Sequence, residues 1–139
     1  MQWWKRLFGG ARSRDGMAQT EREAFVDLLV YAQYADRSLS LSEDKAFNAE
    51  ISALAWDNQA ATSALPLEDY VNRAIARVRG IRRHTVEEDD FLAERTDVLR
   101  NPKTRQRLLT ALENVTWADG DEAGDERTLK QHIRDLVGG

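Results

Sequence analysis

At 139 residues the chain has room for one hydrophobic core and not for two. Its formal charge of −4, with 32 % charged and 42 % hydrophobic residues, suits amphipathic helices with a solvated outer face and excludes both an acidic tail and binding to nucleic acid through bulk charge. The absence of cysteine excludes disulfides, thiolate metal sites and thiol redox chemistry, and fits a cytoplasmic location.

Residues 1–19 are expected to be an amphipathic segment and linker. Trp3, Trp4, Leu7 and Phe8 surround Lys5 and Arg6, and Gly9, Gly10 and Gly16 loosen the stretch up to the first helix. The segment lacks the apolar core of a secretory signal, and no run approaches the roughly 20 apolar residues of a membrane span. Positions 1–14 hold four basic residues and no acid. Tryptophans with basic neighbours suit a membrane interface, although docking on a groove of the domain or on a partner protein fits the same residues.

Residues 20–139 are expected to form a helical domain, with a loop at residues 58–63. The first helix runs from about Thr20 to Asp36, with Phe25, Leu28, Leu29, Ala32 and Ala35 on one stripe. Ser40 and Glu43 form a capping box for the second, whose inner face carries Phe47, Ile51, Leu54 and Ala55. Pro66 opens a third helix with Leu67, Val71, Ala74, Ile75 and Val78 inside, ending at Gly80. A second capping box, Thr85 with Glu88, opens a weaker helix carrying Leu92, Thr96 and Leu99. Asn101 and Pro102 are an N-cap and a first helical residue. The helix they open carries Leu108, Ala111, Leu112, Val115 and Ala118, and a last one from about Asp125 carries Leu129, Ile133 and Leu136. No alternating strand pattern occurs, so the fold class is all-α, a compact bundle of about six helices.

The chain carries an internal repeat. A shift of 83 residues lays the first stripe on the one from Leu108 to Ala118, Asp36 on Asp119, and Glu43 on Glu126. This makes the bundle a two-fold helix-turn-helix repeat. Asp36 and Asp119 stand at helix C-termini, where an exposed acid is disfavoured by about 0.3–1 kcal/mol. A hard cation would relieve this by gathering carboxylates and the free terminal carbonyls. The second turn offers Asp119, Asp121, Glu122, Asp125 and Glu126 within eight residues. It is not an EF-hand: counted from Asp119, Ala123 takes a ligand position and Lys130 the place of the bidentate glutamate. The turn reads either as solvated acids or as a divalent-cation site for calcium or magnesium. In the first copy Arg37 stands where the second has Gly120, and can neutralise Asp36 itself.

Ala118-Asp119-Gly120 with Glu126, between two amphipathic helices, resembles the signature of the tellurite-resistance TerB-like family. Ala35-Asp36 with Glu43 looks like its earlier, degenerate partner motif, and the resemblance covers about residues 21–137. It implies an all-helical fold and a bacterial cytoplasmic protein tied to stress responses, in some members near the inner membrane. It also implies metal binding at Asp36, Glu43, Asp119 and Glu126.

Residues 72–84 hold five arginines and no acid, and residues 87–97 six acids and one arginine. Mutual neutralisation of the two helices is the simpler account than a phosphate-binding surface. His84 and His132 have no second histidine at ligand spacing, and suit surface or capping positions. Trp56 and Trp117 are expected in the core or at its edge. No nucleophile triad, phosphate loop or zinc helix occurs, and no substrate pocket is expected. The residues therefore lead to a non-enzymatic, TerB-like interaction module. It is expected to bind a protein partner and no nucleic acid, with a divalent cation at Asp36, Glu43, Asp119, Asp121 and Glu126. The alternative is a helical adaptor with structural acids, whose Trp3, Trp4, Leu7 and Phe8 contact a partner or the inner face of the inner membrane.

Overall fold

A computed structural model describes residues 16–35, 45–56, 66–119 and 124–138, with the backbone alone for 116–119 and 124–130. Six helices are described: α1 (Gln19–Tyr34), α2 (Lys45–Ser52), α3 (Leu67–Ile81), α4 (Thr85–Val98), α5 (Pro102–Asp119) and α6 (Gly124–Gly138). The described residues contain no strand. No helix among them is long and apolar enough to cross a membrane.

The first helix departs from expectation. A one-sided stripe was expected, but every residue of α1 from Glu21 onward is buried, including Glu21, Arg22, Glu23, Asp27 and Gln33. The helix is central, packed against α3, α4, α5 and α6 at once. Glu21 and Arg22 tolerate this because the segment entering the helix and α5 supply partners. Glu21 accepts from the Ala18 N–H at 3.0 Å and from the Thr104 hydroxyl at 3.3 Å. Arg22 donates to the Met17 carbonyl at 2.7 Å and to Gln19 at 3.1 Å.

Around this axis the apolar periodicity holds. α2 turns Phe47 and Ile51 inward, with Leu54 buried just beyond it and Phe47 edge-on to Tyr34, ring centroids 5.0 Å apart. α3 buries Val71, Ala74, Ile75 and Val78. It ends at Ile81, one residue past the expected Gly80, and the chain reverses at Arg83, which takes a left-handed φ of 74°. The capping box expected at Thr85 is absent. Thr85 is the first helical residue behind His84, and Glu88 is drawn inward instead. α4 buries Phe91 as well as the expected Leu92 and Leu99. The start of α5 is as expected, with Asn101 Oδ1 accepting from the Lys103 N–H at 2.9 Å.

One arginine ties the later helices together. Arg105 donates to the carbonyls of Leu99, Thr96 and Val137. It thus reaches carbonyls at the C-terminal ends of both α4 and α6, where intrahelical donors run out, and joins the Leu99 N–H on the Thr96 carbonyl. At the 83-residue shift Arg105 falls on Arg22, and both reach back to the segment that enters their own helix. Phe25, Leu28, Leu29 and Ala32 fall on Leu108, Ala111, Leu112 and Val115, all eight buried. The helices that follow keep a different shift: Phe47 and Ile51 correspond in burial to Ile133 and Val137, 86 residues on. The capping box expected at Ser40 and Glu43 lies outside the described residues.

Candidate functional site

Asp27 is the lone charge in the run from Ala24 to Ala32, whose other eight members are all apolar. Its side chain is 5 % exposed. Two helices converge on it from the hairpin that α3 and α4 form. Tyr70, near the start of α3, donates its hydroxyl to Asp27 Oδ1 at 3.0 Å, and Arg95, near the end of α4, donates Nε to Oδ2 at 3.0 Å. Arg95 is itself held by Glu94 Oε2 at 3.0 Å and by the Phe91 ring, whose centroid lies 4.2 Å below the guanidinium. Such a stacked, forked contact suits arginine and not lysine.

Further along α1 the hairpin closes. Tyr31, one turn on from Asp27, donates to Glu88 Oε2 at 2.6 Å, and Arg82 donates to the same oxygen at 2.9 Å. Arg79 then donates Nε to the Tyr34 carbonyl at 3.1 Å. Toward the other end the two helices splay and leave a cleft of about 390 Å³ over α1. Thr20, Ala24 and Asp27 form its floor, with Tyr70 and Arg77 on the α3 side and Arg95 and Val98 on the α4 side. The sequence alone gave no sign of this cleft.

Burial pushes the Asp27 carboxyl above its ordinary value of 3.8, against the opposing pull of Arg95, the Tyr70 hydroxyl and the Arg77 charge. Burial likewise lifts the Tyr70 phenol well above its ordinary value, helped by the charges of Asp27 and Glu23. Tyr70 therefore keeps its proton and remains a donor at neutral pH. The result is a fixed acceptor at the bottom of a part-apolar cleft, with a guanidinium and a hydroxyl on its walls. A space of this size takes one small ligand or one side chain of a partner.

The residues expected to form a site fall elsewhere. Asp119 is the last residue of α5 and Glu126 stands in the first turn of α6, as expected of their backbones. Their side chains, and Asp36, Glu43, Asp121, Trp3, Trp4, Leu7 and Phe8, lie outside the described residues, as does the side chain of Trp117. Trp56 is half-buried at the core edge, its ring centroid 4.9 Å from that of Tyr70. His84 and His132 are exposed. Among the described residues no three acidic or histidine side chains are grouped to hold a metal ion.

The expected mutual neutralisation of α3 and α4 is met in part: Arg82 pairs with Glu88 at 2.9 Å, and His84 Nδ1 lies 4.0 Å from Glu87. Arg79 and Arg95 turn inward to α1, while Arg73, Arg77, Asp89 and Asp90 stay exposed with no hydrogen bond or ion pair to a described residue. Sequence reasoning missed Asp27, although a single acid inside an apolar run was a visible signal. Its partners, 43 and 68 residues away, were not visible. No protein-family model, no curated protein and no solved structure matches this chain.

Proposed function

We propose that the chain is a non-enzymatic, TerB-like stress-response module of the bacterial cytoplasm that meets a protein partner at the cleft over Asp27. The observation that carries this reading is a buried acid, desolvated at a cost, that opens to the surface through a cleft sized for one side chain. A photoreactive residue in place of Thr20, in cells expressing the chain, tests it. A discrete covalent adduct is expected, absent when the same probe replaces the exposed Gln106. Equal labelling from both positions, or none from Thr20, overturns it.

A second reading is supported by the backbone of the α5–α6 turn, where Asp119 closes one helix and Glu126 begins the next. In this reading Asp119, Asp121 and Glu126, with Asp36 and Glu43 as their counterparts, hold calcium or magnesium and tune partner binding. Calorimetry decides: heat and a raised melting temperature with either ion are expected, and both are lost in Asp119→Asn. A flat titration of the wild-type chain removes the cation. The inner face of the inner membrane, met through Trp3, Trp4, Leu7 and Phe8, is the location this family reading proposes.

A further inference from the structure

The α3–α4 hairpin packs its inner side on α1 and leaves its outer side open. On that outer side α3 carries Arg73 and Arg77, and α4 carries Asp89, Asp90 and Glu94, all exposed. Neither arginine, and neither aspartate, has a hydrogen bond or ion pair to a described residue. One face thus presents a basic stripe beside an acidic one. Val86, 72 % exposed, stands on the same side near the turn and is the most exposed large hydrophobic side chain among the described residues.

We infer that this face is a self-association surface, and that its occupant is a second copy of this chain related by a two-fold axis running along the hairpin.

The register follows from the antiparallel hairpin. Tyr70 and Arg95 meet at one end, on Asp27, and Arg82 and Glu88 at the other. Counted from Arg83 at the turn, Arg77 lies six residues back and Asp89 six residues on, both at a height of about 9 Å at 1.5 Å per residue. Arg73 lies ten back, level with Ala93 and beside Glu94, at a height of about 15 Å. A two-fold axis parallel to the helices keeps these heights and carries α3 of one copy over α4 of the other. Arg77 of each copy then faces Asp89 and Asp90 of its mate, and Arg73 faces Glu94, so one rotation satisfies both stripes.

Val86, three residues past the turn, meets the height of Gly80, three residues before it. Gly80 is exposed and has nothing within 4 Å of where a Cβ would stand, so the space for the valine is present. A partner of another kind would have to bring the reversed charge order, which a second copy supplies without further specification. Exposed pairs contribute little each, so the dimer is weak and dissolves in salt. The face borders the cleft and shares Arg77 and Glu94 with its lining, Glu94 also holding Arg95 at 3.0 Å, but the inference does not rest on the cleft being a partner site.

Sedimentation of the full chain at submillimolar concentration tests it. A monomer–dimer equilibrium is expected at low salt and monomer at high salt. Arg73→Glu/Arg77→Glu and Asp89→Arg/Asp90→Arg are each expected to stay monomeric alone and to form a one-to-one heterodimer when mixed. A second pair of variants keeps the test open if those four reversals unfold the chain. Because the natural chain has no cysteine, a mixture of Val86→Cys and Gly80→Cys is expected to give a mixed disulfide in preference to either self-pair. A wild-type chain that stays monomeric at low salt, a dimer that both reversals leave intact, or a mixed disulfide no commoner than chance overturns the inference, whatever other protein the face binds.

Discussion

At a shift of 83 residues α1 and α5 bury the same four stripe positions, yet the two helices occupy different surroundings. Off the stripe, Val30 of α1 is fully buried where Glu113 of α5 is exposed, and Asp27 is buried where Thr110 is exposed. The stripe fixes which side of a helix meets the core. The residues off it decide whether the helix forms the outer layer or the axis. α1 can be the axis because Val26, Val30 and Tyr31 continue the apolar surface behind the stripe. Its buried polar groups find partners on three other elements: Glu21 with Thr104, Asp27 with Tyr70 and Arg95, and Tyr31 with Glu88.

Four sets of substitutions break or sharpen this contrast. The largest effect belongs to Val30→Glu, which sets an unpaired charge in the packed centre at a cost of at least about 4 kcal/mol and removes the cooperative thermal transition. Glu113→Val, its counterpart on α5, is expected within about 0.5 kcal/mol of the wild type. Next comes Asp27→Ala, which strands Arg95 and the Tyr70 hydroxyl and costs about 2–3 kcal/mol by urea denaturation. Thr110→Ala at the equivalent place on α5 costs less than about 0.5 kcal/mol, since its hydroxyl only returns to the Gln106 carbonyl.

Arg22 and Arg105 sharpen the comparison from the other direction, because here the two helices agree. Each reaches back to a carbonyl of its own entry segment, and each alanine substitution is expected to cost about 2 kcal/mol. A cost for one and none for the other breaks the correspondence. The smallest effect is the pH dependence. A carboxyl whose folded value is raised favours the folded state most at a pH below its ordinary 3.8, and that contribution fades as pH rises through the folded value. The stability of the wild type relative to Asp27→Asn is therefore expected to fall across that interval, as read from melting temperatures at a series of pH values.

Much of the fold was legible because helical periodicity is a local signal. Pro66, Asn101 with Pro102, the inward residues of α3 and Phe47, Ile51 and Leu54 at α2 stand where spacing puts them, while in α6 Ile133 does so and Val137, rather than Leu136, completes the buried side. Position in the bundle is set by the whole chain. A period of 3.6 residues reports one apolar side, and the second apolar side of α1 lay outside it. The same limit hid the cleft, since Asp27, Tyr70 and Arg95 come from three helices and no spacing rule connects them. Charge showed the same failure. The arginines of α3 and the acids of α4 balance in sequence, but Arg79 and Glu88 reach α1 and several on each side remain outward. Gly80 marked the end of α3 to within one residue, but the left-handed turn itself falls on Arg83. Arg83→Gly is accordingly expected to raise stability by about 1 kcal/mol.

The claim on which the rest depends is that α1 is the axis of the bundle and carries a desolvated acid beneath the cleft. Carbon-13 NMR of the Asp27 carboxyl through a pH titration tests it at the atom concerned. The account predicts a midpoint above the ordinary 3.8, with the Arg95 Nε–H shift moving in step. A midpoint at or below that value would place Asp27 at a solvated surface or in a fully compensated ion pair, and would contradict the account.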